Sequence, residues 1–473
     1  MSQRKNSSVA INGLFFAGYR VLNILFPLIT SVYVARVLLP SGTGRVAYAQ
    51  NVVTYFTLLA SLGLPTYGTR EIARNLSSEE KYNETFFELI SINTISTTIC
   101  AIAYYTLCFT IPSFRNDLQL YLVAGLAIVL NYFNIDWLYQ GREEYKYIAI
   151  RGFLIKALSV VLLFLVVKEQ SDYVAYAGIY CLVLGGNNLV NCIGLKRRVH
   201  FAKRKLNLRT HLKPIIILFA TTVAIELYTM LDTTMLGIMC SDQVVGYYSY
   251  AMKTTKIIIT VLTAATTVLL PRLSSTYHVS RDRYKSLANK GIAFLFSISI
   301  PISVYMYFNA YDIVVFLYGN HYENAVETLK ILALLIPFIS FSTYLGAQIL
   351  CSANCEKDML IAVSIGAITN ILMNAVLIPR FYQNGAAIAS VASEFIVMLC
   401  DAYFVKQIIE LRIPAKVVMV TVITSMSVII CTLIVHEYVS SMFLRLLFAG
   451  ITMVMTFVAL SAKSIIAMKN GLE

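Results

Sequence analysis

The chain has 473 residues, of which 58% are hydrophobic and only 13% charged, with 38 Lys and Arg against 25 Asp and Glu for a formal net charge of +13; its mean hydropathy is +0.71. Soluble domains carry about 25% charged residues, so a soluble enzyme, a nucleic-acid-binding domain and a disordered tail are excluded as the main reading. The basic balance is first a matter of membrane topology, because cytoplasmic loops collect Lys and Arg whatever a protein binds.

The N-terminus carries Arg4 and Lys5, but the apolar run that follows is long and has no A-x-A cleavage pattern, so it is read as a retained first helix and not as a signal peptide. A spanning helix needs about 20 apolar residues. Apolar windows predict spans near 10–35, 46–68, 84–109, 118–138, 148–167, 173–194, 214–239 and 244–270, continuing near 290–309, 326–350, 359–379, 385–405, 415–435 and 442–462. Fourteen spans put both termini on one side. With a cytoplasmic N-terminus, inside segments collect about 27 of the 38 basic residues and outside segments about six. The expectation is N-in, C-in. The nine cysteines lie in or beside apolar runs and read as small buried hydrophobes.

The longest polar connection, from Lys196 to Lys213, holds eight basic residues and no acidic one, and reads as a positive-inside linker. Shifting the sequence by 202 positions aligns Gly44, Tyr48, Ala49 and Arg70 with Gly246, Tyr250, Ala251 and Arg272. The expected fold is therefore all-α and polytopic, with two pseudo-symmetric six-helix bundles at 1–195 and 214–407. A basic cytoplasmic linker at 196–213 joins them, and two additional transmembrane helices occupy 408–473. Transporters built from repeats commonly bind substrate where the halves meet.

Ionisable residues at a helix centre cost about 2.5–3.5 kcal/mol on insertion scales, so each needs a partner or a watery cavity. In the first span Asn12, Tyr19 and Asn23 share a face, with Arg20 beside it. The seventh span carries Glu226 and Asp232, and the eighth carries Lys253 and Lys256, three apart and so on one face. These residues suggest a cavity lined by Arg20, Lys253 and Lys256, with Glu226 and Asp232 as counter-charges or coupling acids. The alternative is that the charges pair across helices to fix packing. A cationic cavity suits a pyrophosphate, because Arg and Lys donate charge-assisted hydrogen bonds to phosphate oxygens. Lys156, Glu394 and Asp401 are assigned to packing, and Glu88, Asp136 and Lys330, near span ends, are assigned no role.

No G-x-x-x-x-G-K-[ST] phosphate loop is present, and the five histidines lack metal-ligand or triad spacing. The expected chemistry is movement and not bond breaking, with no cofactor and no nucleic-acid partner.

Several segments carry a resemblance: FPLITSVYVARVL from Phe26, LGLPTYGTREIA from Leu62, DWLYQGREEYKYIAIR from Asp136, LDTTMLG from Leu231, VGYYSYAMK from Val245, LLPRLS from Leu269 and NILMNAVLIPRFYQNGAAIASVASE from Asn370. Together they resemble the Wzx-type oligosaccharide flippases of the multidrug/oligosaccharidyl-lipid/polysaccharide exporter superfamily, over nearly the whole chain. The resemblance implies a two-bundle flippase in the bacterial plasma membrane. Its implied cargo is an undecaprenyl-pyrophosphate-linked oligosaccharide for capsule, exopolysaccharide or O-antigen, and membrane lipids and a polysaccharide polymerase are its implied partners. It also implies a central cavity in which cationic side chains meet the pyrophosphate; Arg20, Lys253 and Lys256 match that idea, Asn12 and Asn23 are further cavity candidates, and alternating access is the expected mechanism. Arg70, Glu71 and Arg272 lie at predicted cytoplasmic ends and shape either an inner gate or packing. Multidrug export on the same fold is the competing reading, and a membrane polymerase or ligase is disfavoured because no large outside loop exists.

Overall fold

The computed structural model describes residues 2–195, 198–200, 206–277 and 279–469, with side chains for all of these except 2–25, 220–229 and 462–469. Every regular element among the described residues is helical. The chain divides into two compact units, 1–234 and 235–473.

In the first unit, α1 (Ser2–Ser61) carries the first two predicted spans and bends at Leu39, whose φ is 58°. The bend has a local cause: Pro40 removes a backbone donor and disfavours the helical region for the residue before it. α2 (Leu64–Asn75) has Pro65 in its first turn, where a missing N–H costs nothing. α3 (Glu79–Thr110) starts at Ser78, whose side chain accepts from the Lys81 N–H, with Glu79 and Glu80 in the first turn; both features favour a helix start. The short α4 (Pro112–Arg115) follows. The fourth span is built in pieces, α5 (Leu118–Ala124), α6 (Leu126–Leu130), a 3₁₀ turn at Asn131–Phe133 and α7 (Asp136–Gly141). α8 (Tyr145–Val166), α9 (Tyr173–Ile193) and α10 (Arg209–Met239) complete this series, with α10 running on past the end of the unit.

The second unit contains α11 (Asp242–Thr267), α12 (Leu270–Tyr277), α13 (Arg281–Phe308) and α14 (Ala310–Tyr318). α15 (Ala325–Ala333) and α16 (Leu335–Thr343) continue into a π-helical stretch, Tyr344–Leu350. α17 (Glu356–Ile408) bends at Tyr382, φ 51°, just after Pro379. α18 (Ala415–Tyr438) and α19 (Met442–Lys469) end the chain. Ten helical runs are long and apolar enough to cross a membrane. One of them is the two-limbed α17, and with α1 and α10 the helix order accommodates all the predicted spans. The protein is a multi-pass membrane protein.

The 202-residue offset reaches further than the sequence motifs. Ser280 accepts from the Arg283 N–H at the start of α13 as Ser78 does at the start of α3, and Asp282 stands in the first turn of α13. Tyr82 and Tyr284 are both buried, as are Ala49 and Ala251, while Arg70 and Arg272 are both exposed. Repeated capping and burial at one offset are what two copies of one helical unit produce.

One core cluster joins the segments from Leu62 and Asp136 in the first unit. Trp137 packs with Tyr67, Phe86 and Leu138, and a Cβ on Gly68 would come within 2.8 Å of the Trp137 ring. Gly68→Ala is therefore expected to lower stability by about 1–3 kcal/mol through overpacking. The check is the melting temperature in detergent, and an unchanged value would contradict this close approach.

Candidate functional site

The expected cavity residues Arg20, Asn12, Asn23 and the acid Glu226 lie outside the described side chains. The structure places the others. In the first unit Asp232 is buried, two residues before Thr234. Thr234 accepts from Asn51 Nδ2 at 2.6 Å and shares a 2.7 Å hydrogen bond with the Tyr55 hydroxyl, while Asn51 also donates to the Met230 carbonyl at 3.2 Å. Asn51 and Tyr55 are one turn apart on the second limb of α1, so a polar seam joins that limb to the stretch of α10 that holds the buried acid.

In the second unit the Lys253 ammonium sits 5.5 Å from the centre of the Tyr250 ring, where the ring quadrupole attracts a cation. Tyr250 meets Tyr318 edge-on with ring centres 5.0 Å apart, and it meets Tyr322 at 5.2 Å. The Tyr318 hydroxyl bonds to Thr254 at 2.7 Å. This aromatic wall backs the ring that faces the Lys253 ammonium, and the residue is half-buried, whereas Lys256, one turn on, is exposed. Such a half-buried lysine can form short charge-assisted bonds to an anion.

The expected gate residues Arg70 and Glu71 belong to the first unit and Arg272 to the second. Arg70 is exposed, lies 3.6 Å from Glu71 and stacks over Tyr67 at 5.3 Å. Arg272 is also exposed.

Three charged clusters carry roles that sequence spacing could not reveal. Glu88, first assigned none, is buried and pairs with buried His211 at 2.7 Å. The other ring nitrogen of His211 bonds the Tyr67 hydroxyl at 2.7 Å, and the Asn207 N–H donates to the second Glu88 oxygen at 2.6 Å. The result is a four-member relay fastening the start of α10 to α2 and α3. Asp136, also assigned none, lies 3.0 Å from buried Arg151, and Asn191 bonds both of them. In the second unit Asp312 is fully buried beside His436 at 3.2 Å and Arg445 at 3.5 Å. That cluster ties α18 and α19 to α14. The partners are separated by more than a hundred residues except within the Asp136–Arg151–Asn191 cluster, so periodicity gave no signal.

A further clamp lies between α7 and α8. Glu144 accepts from Arg142 at 2.7 Å and from Arg198 at 2.7 Å, and Arg198 also stacks over Tyr139 at 4.9 Å. Burial pushes the Glu144 carboxyl up, but the hydrogen bonds and charges of Arg198 and Arg142 outweigh it and hold the group below the usual carboxylate range. A depressed folded pKa gives stability that is present above the unfolded value, about 4.3, and is lost as pH falls through the folded value. Acid titration of the melting temperature should therefore show a limb below about pH 4 that Glu144→Gln flattens. Identical acid limbs would contradict the clamp.

Comparison with known proteins points in one direction. A family model described as polysaccharide biosynthesis protein matches residues 9–277, and a second, MatE, matches residues 214–376. The protein named "Putative O-antigen transporter" of Escherichia coli strain K12 is 26% identical over 405 residues, covering 84% of this chain and 97% of its own length. Among solved structures, the lipid II flippase MurJ in an inward closed conformation aligns with a TM-score of 0.76 at 14% identity, over 96% of this chain and all of its own. An inward-facing multidrug resistance MATE family transporter of the MOP superfamily aligns with a TM-score of 0.65 at 15% identity, over 84% of this chain and 98% of its own. At those identities the structural likeness speaks for the fold alone.

Proposed function

Since the chain belongs to the polysaccharide biosynthesis protein family, we propose that it is a flippase moving undecaprenyl-pyrophosphate-linked oligosaccharide repeat units across the bacterial plasma membrane, for capsule, exopolysaccharide or O-antigen. The observation that carries this reading is the match to the Escherichia coli relative over 97% of that protein's length. The fold shared with the lipid II flippase supports it. The termini lie in the cytoplasm in this reading, which the distribution of Lys and Arg supports. A polysaccharide polymerase on the outer side is the partner that consumes the delivered unit.

The mechanism is alternating access. The anionic head enters from the cytoplasm, the lipid tail stays in the bilayer, and the head is released outside. Lys253, braced by its tyrosine wall, and Arg20 neutralise the pyrophosphate, with Lys256 and the amides of Asn12 and Asn23 adding contacts; Asp232 and Glu226 serve as counter-charges or as the groups through which an ion couples. Arg70, Glu71 and Arg272 shape the inner gate. Each charge-assisted hydrogen bond to the head contributes about 1.5–3 kcal/mol.

Deleting the gene tests the reading. The expected result is loss of surface polymer with accumulation of lipid-linked repeat units in the membrane, reversed by the wild-type gene, and no change in sensitivity to cationic drugs. Normal polymer together with drug hypersensitivity would instead favour multidrug export.

A further inference from the structure

Within the first unit a cavity of about 380 Å³ is lined by Thr54, Thr57, Ser61, Asn131, Asn134 and Asn188, with apolar walls that include Leu58 and Leu184. Its size falls in the ~300–1,000 Å³ range of small-molecule sites. Among the described residues, no ionisable side chain lines it. We propose that this cavity is a saccharide subsite, holding an uncharged pyranose of the cargo through its hydroxyl or acetamido hydrogens. The inference rests on the flippase reading and adds the place where the sugar, as opposed to the pyrophosphate, is recognised.

The hydrogen-bond inventory selects the ligand class. Asn131 is spent on the protein: its amide donates to Asn93 Oδ1 at 3.2 Å and to Thr97 at 2.9 Å. Its oxygen accepts from Ser61 at 3.1 Å and from Asn134 Nδ2 at 3.0 Å. Asn188 Nδ2 donates to the Leu130 carbonyl at 3.2 Å. Thr54 donates to Gln50 O at 2.7 Å, and Thr57 donates to Thr54 O at 3.0 Å. The three hydroxyls thus donate within the protein and keep their lone pairs, while Asn134 and Asn188 each use one amide N–H and keep an oxygen and a second N–H. The wall is uncharged, rich in acceptors and supplied with two amide donors, which suits the hydroxyl and acetamido groups of a sugar. A phosphate is an acceptor itself and would need a cation here, and an ammonium would need an acid. The two leucines offer a flat apolar surface to the C–H face of a sugar ring.

The backbone supports a built site. The fourth span is broken at this level by the 3₁₀ turn Asn131–Phe133, and irregular backbone at membrane depth is tolerated where it is buried in protein or lines a wet cavity. Asn131 locks that break in place, so these polar groups are held before any ligand arrives.

Trp137 is the only tryptophan in the chain, and its indole N–H donates to the Asn134 carbonyl at 3.0 Å, which makes its fluorescence a reporter of the cavity. The experiment uses the full chain in phospholipid nanodiscs. Two probes are titrated, the undecaprenyl-pyrophosphate oligosaccharide extracted from the source cells and sugar-free undecaprenyl pyrophosphate. A saturable change in Trp137 emission is expected with the first probe only. Thr57→Val, which keeps the side-chain shape, and Asn188→Leu should each weaken binding of the first probe at least fivefold and leave binding of the second, followed by competition with the first, unchanged. Wild-type affinity for the first probe in both variants, or an equal Trp137 response to the two probes, would overturn the subsite while leaving the flippase reading intact. Failure of the wild type to bind either probe would overturn the flippase reading and the subsite with it.

Discussion

Polymer export is expected to fall at least tenfold in cells whose chain carries Lys253→Ala, with the protein still present in the membrane. The half-buried ammonium beside Tyr250 is held by a wall in which Tyr318 and Tyr322 back the tyrosine ring, so the charge is placed before the substrate arrives. On the proposed reading, losing one charge-assisted bond of about 1.5–3 kcal/mol weakens capture of the pyrophosphate by roughly ten- to a hundredfold. Lys253→Arg keeps the charge and should retain part of the activity, although a planar guanidinium does not occupy the same position as an ammonium. Arg20→Ala is expected to match Lys253→Ala on the strength of its place in the first span. Lys256→Ala should cost less, because that side chain is exposed and its charge is screened. Quantifying surface polymer against membrane-resident protein for the four variants checks this order. Wild-type export in Lys253→Ala would remove the lysine from the substrate path.

The second large effect is on stability. Glu88→Ala leaves one nitrogen of buried His211 without its partner, at a cost of about 1–3 kcal/mol, and removes the acceptor of the N–H of exposed Asn207. A loss of roughly 2 kcal/mol is expected, read as a lower melting temperature in detergent. Glu88→Gln keeps the shape and one acceptor and should lose less. Tyr67→Phe removes only the outer bond of the relay, costing about 1 kcal/mol. Because Asn207 and His211 frame the start of α10, Glu88→Ala should also speed proteolysis of the basic connection before it. If Glu88→Ala melts with the wild type and resists protease equally, the relay does not fasten α10.

These two predictions came from different kinds of signal. Lys253 was legible in the sequence, because a lysine inside an apolar run of this length requires a reason. The relay was not. Glu88 sits nine residues into α3 and His211 in a basic segment, and 123 residues separate them, so only the packing of α2, α3 and α10 brings them together. Asp312 and His436 escaped notice for the same reason. The helices themselves were legible because apolar run length and terminal signals such as Ser78 with Glu79 act locally. The bends at Leu39 and Tyr382 lie between one predicted span and the next, and Pro40 accounts for the first of them. The polar cavity was hidden in a different way: Asn131, Asn134 and Asn188 are uncharged, so they raise no alarm in a hydropathy reading, and their convergence depends on the break in the fourth span. Sequence reasoning therefore found charges that are costly wherever they fold, and it missed groups whose meaning depends on a distant neighbour.

Reconstitution gives the most direct measurement of the central claim. The purified chain is placed in liposomes with extracted undecaprenyl-pyrophosphate oligosaccharide, and the fraction of sugar accessible to an external oxidant or glycosidase is followed with time. Transport by this protein predicts accessibility rising beyond the half initially exposed in the outer leaflet toward completion, with Lys253→Ala at least tenfold slower. Accessibility that stays at the protein-free level in wild-type liposomes would contradict it.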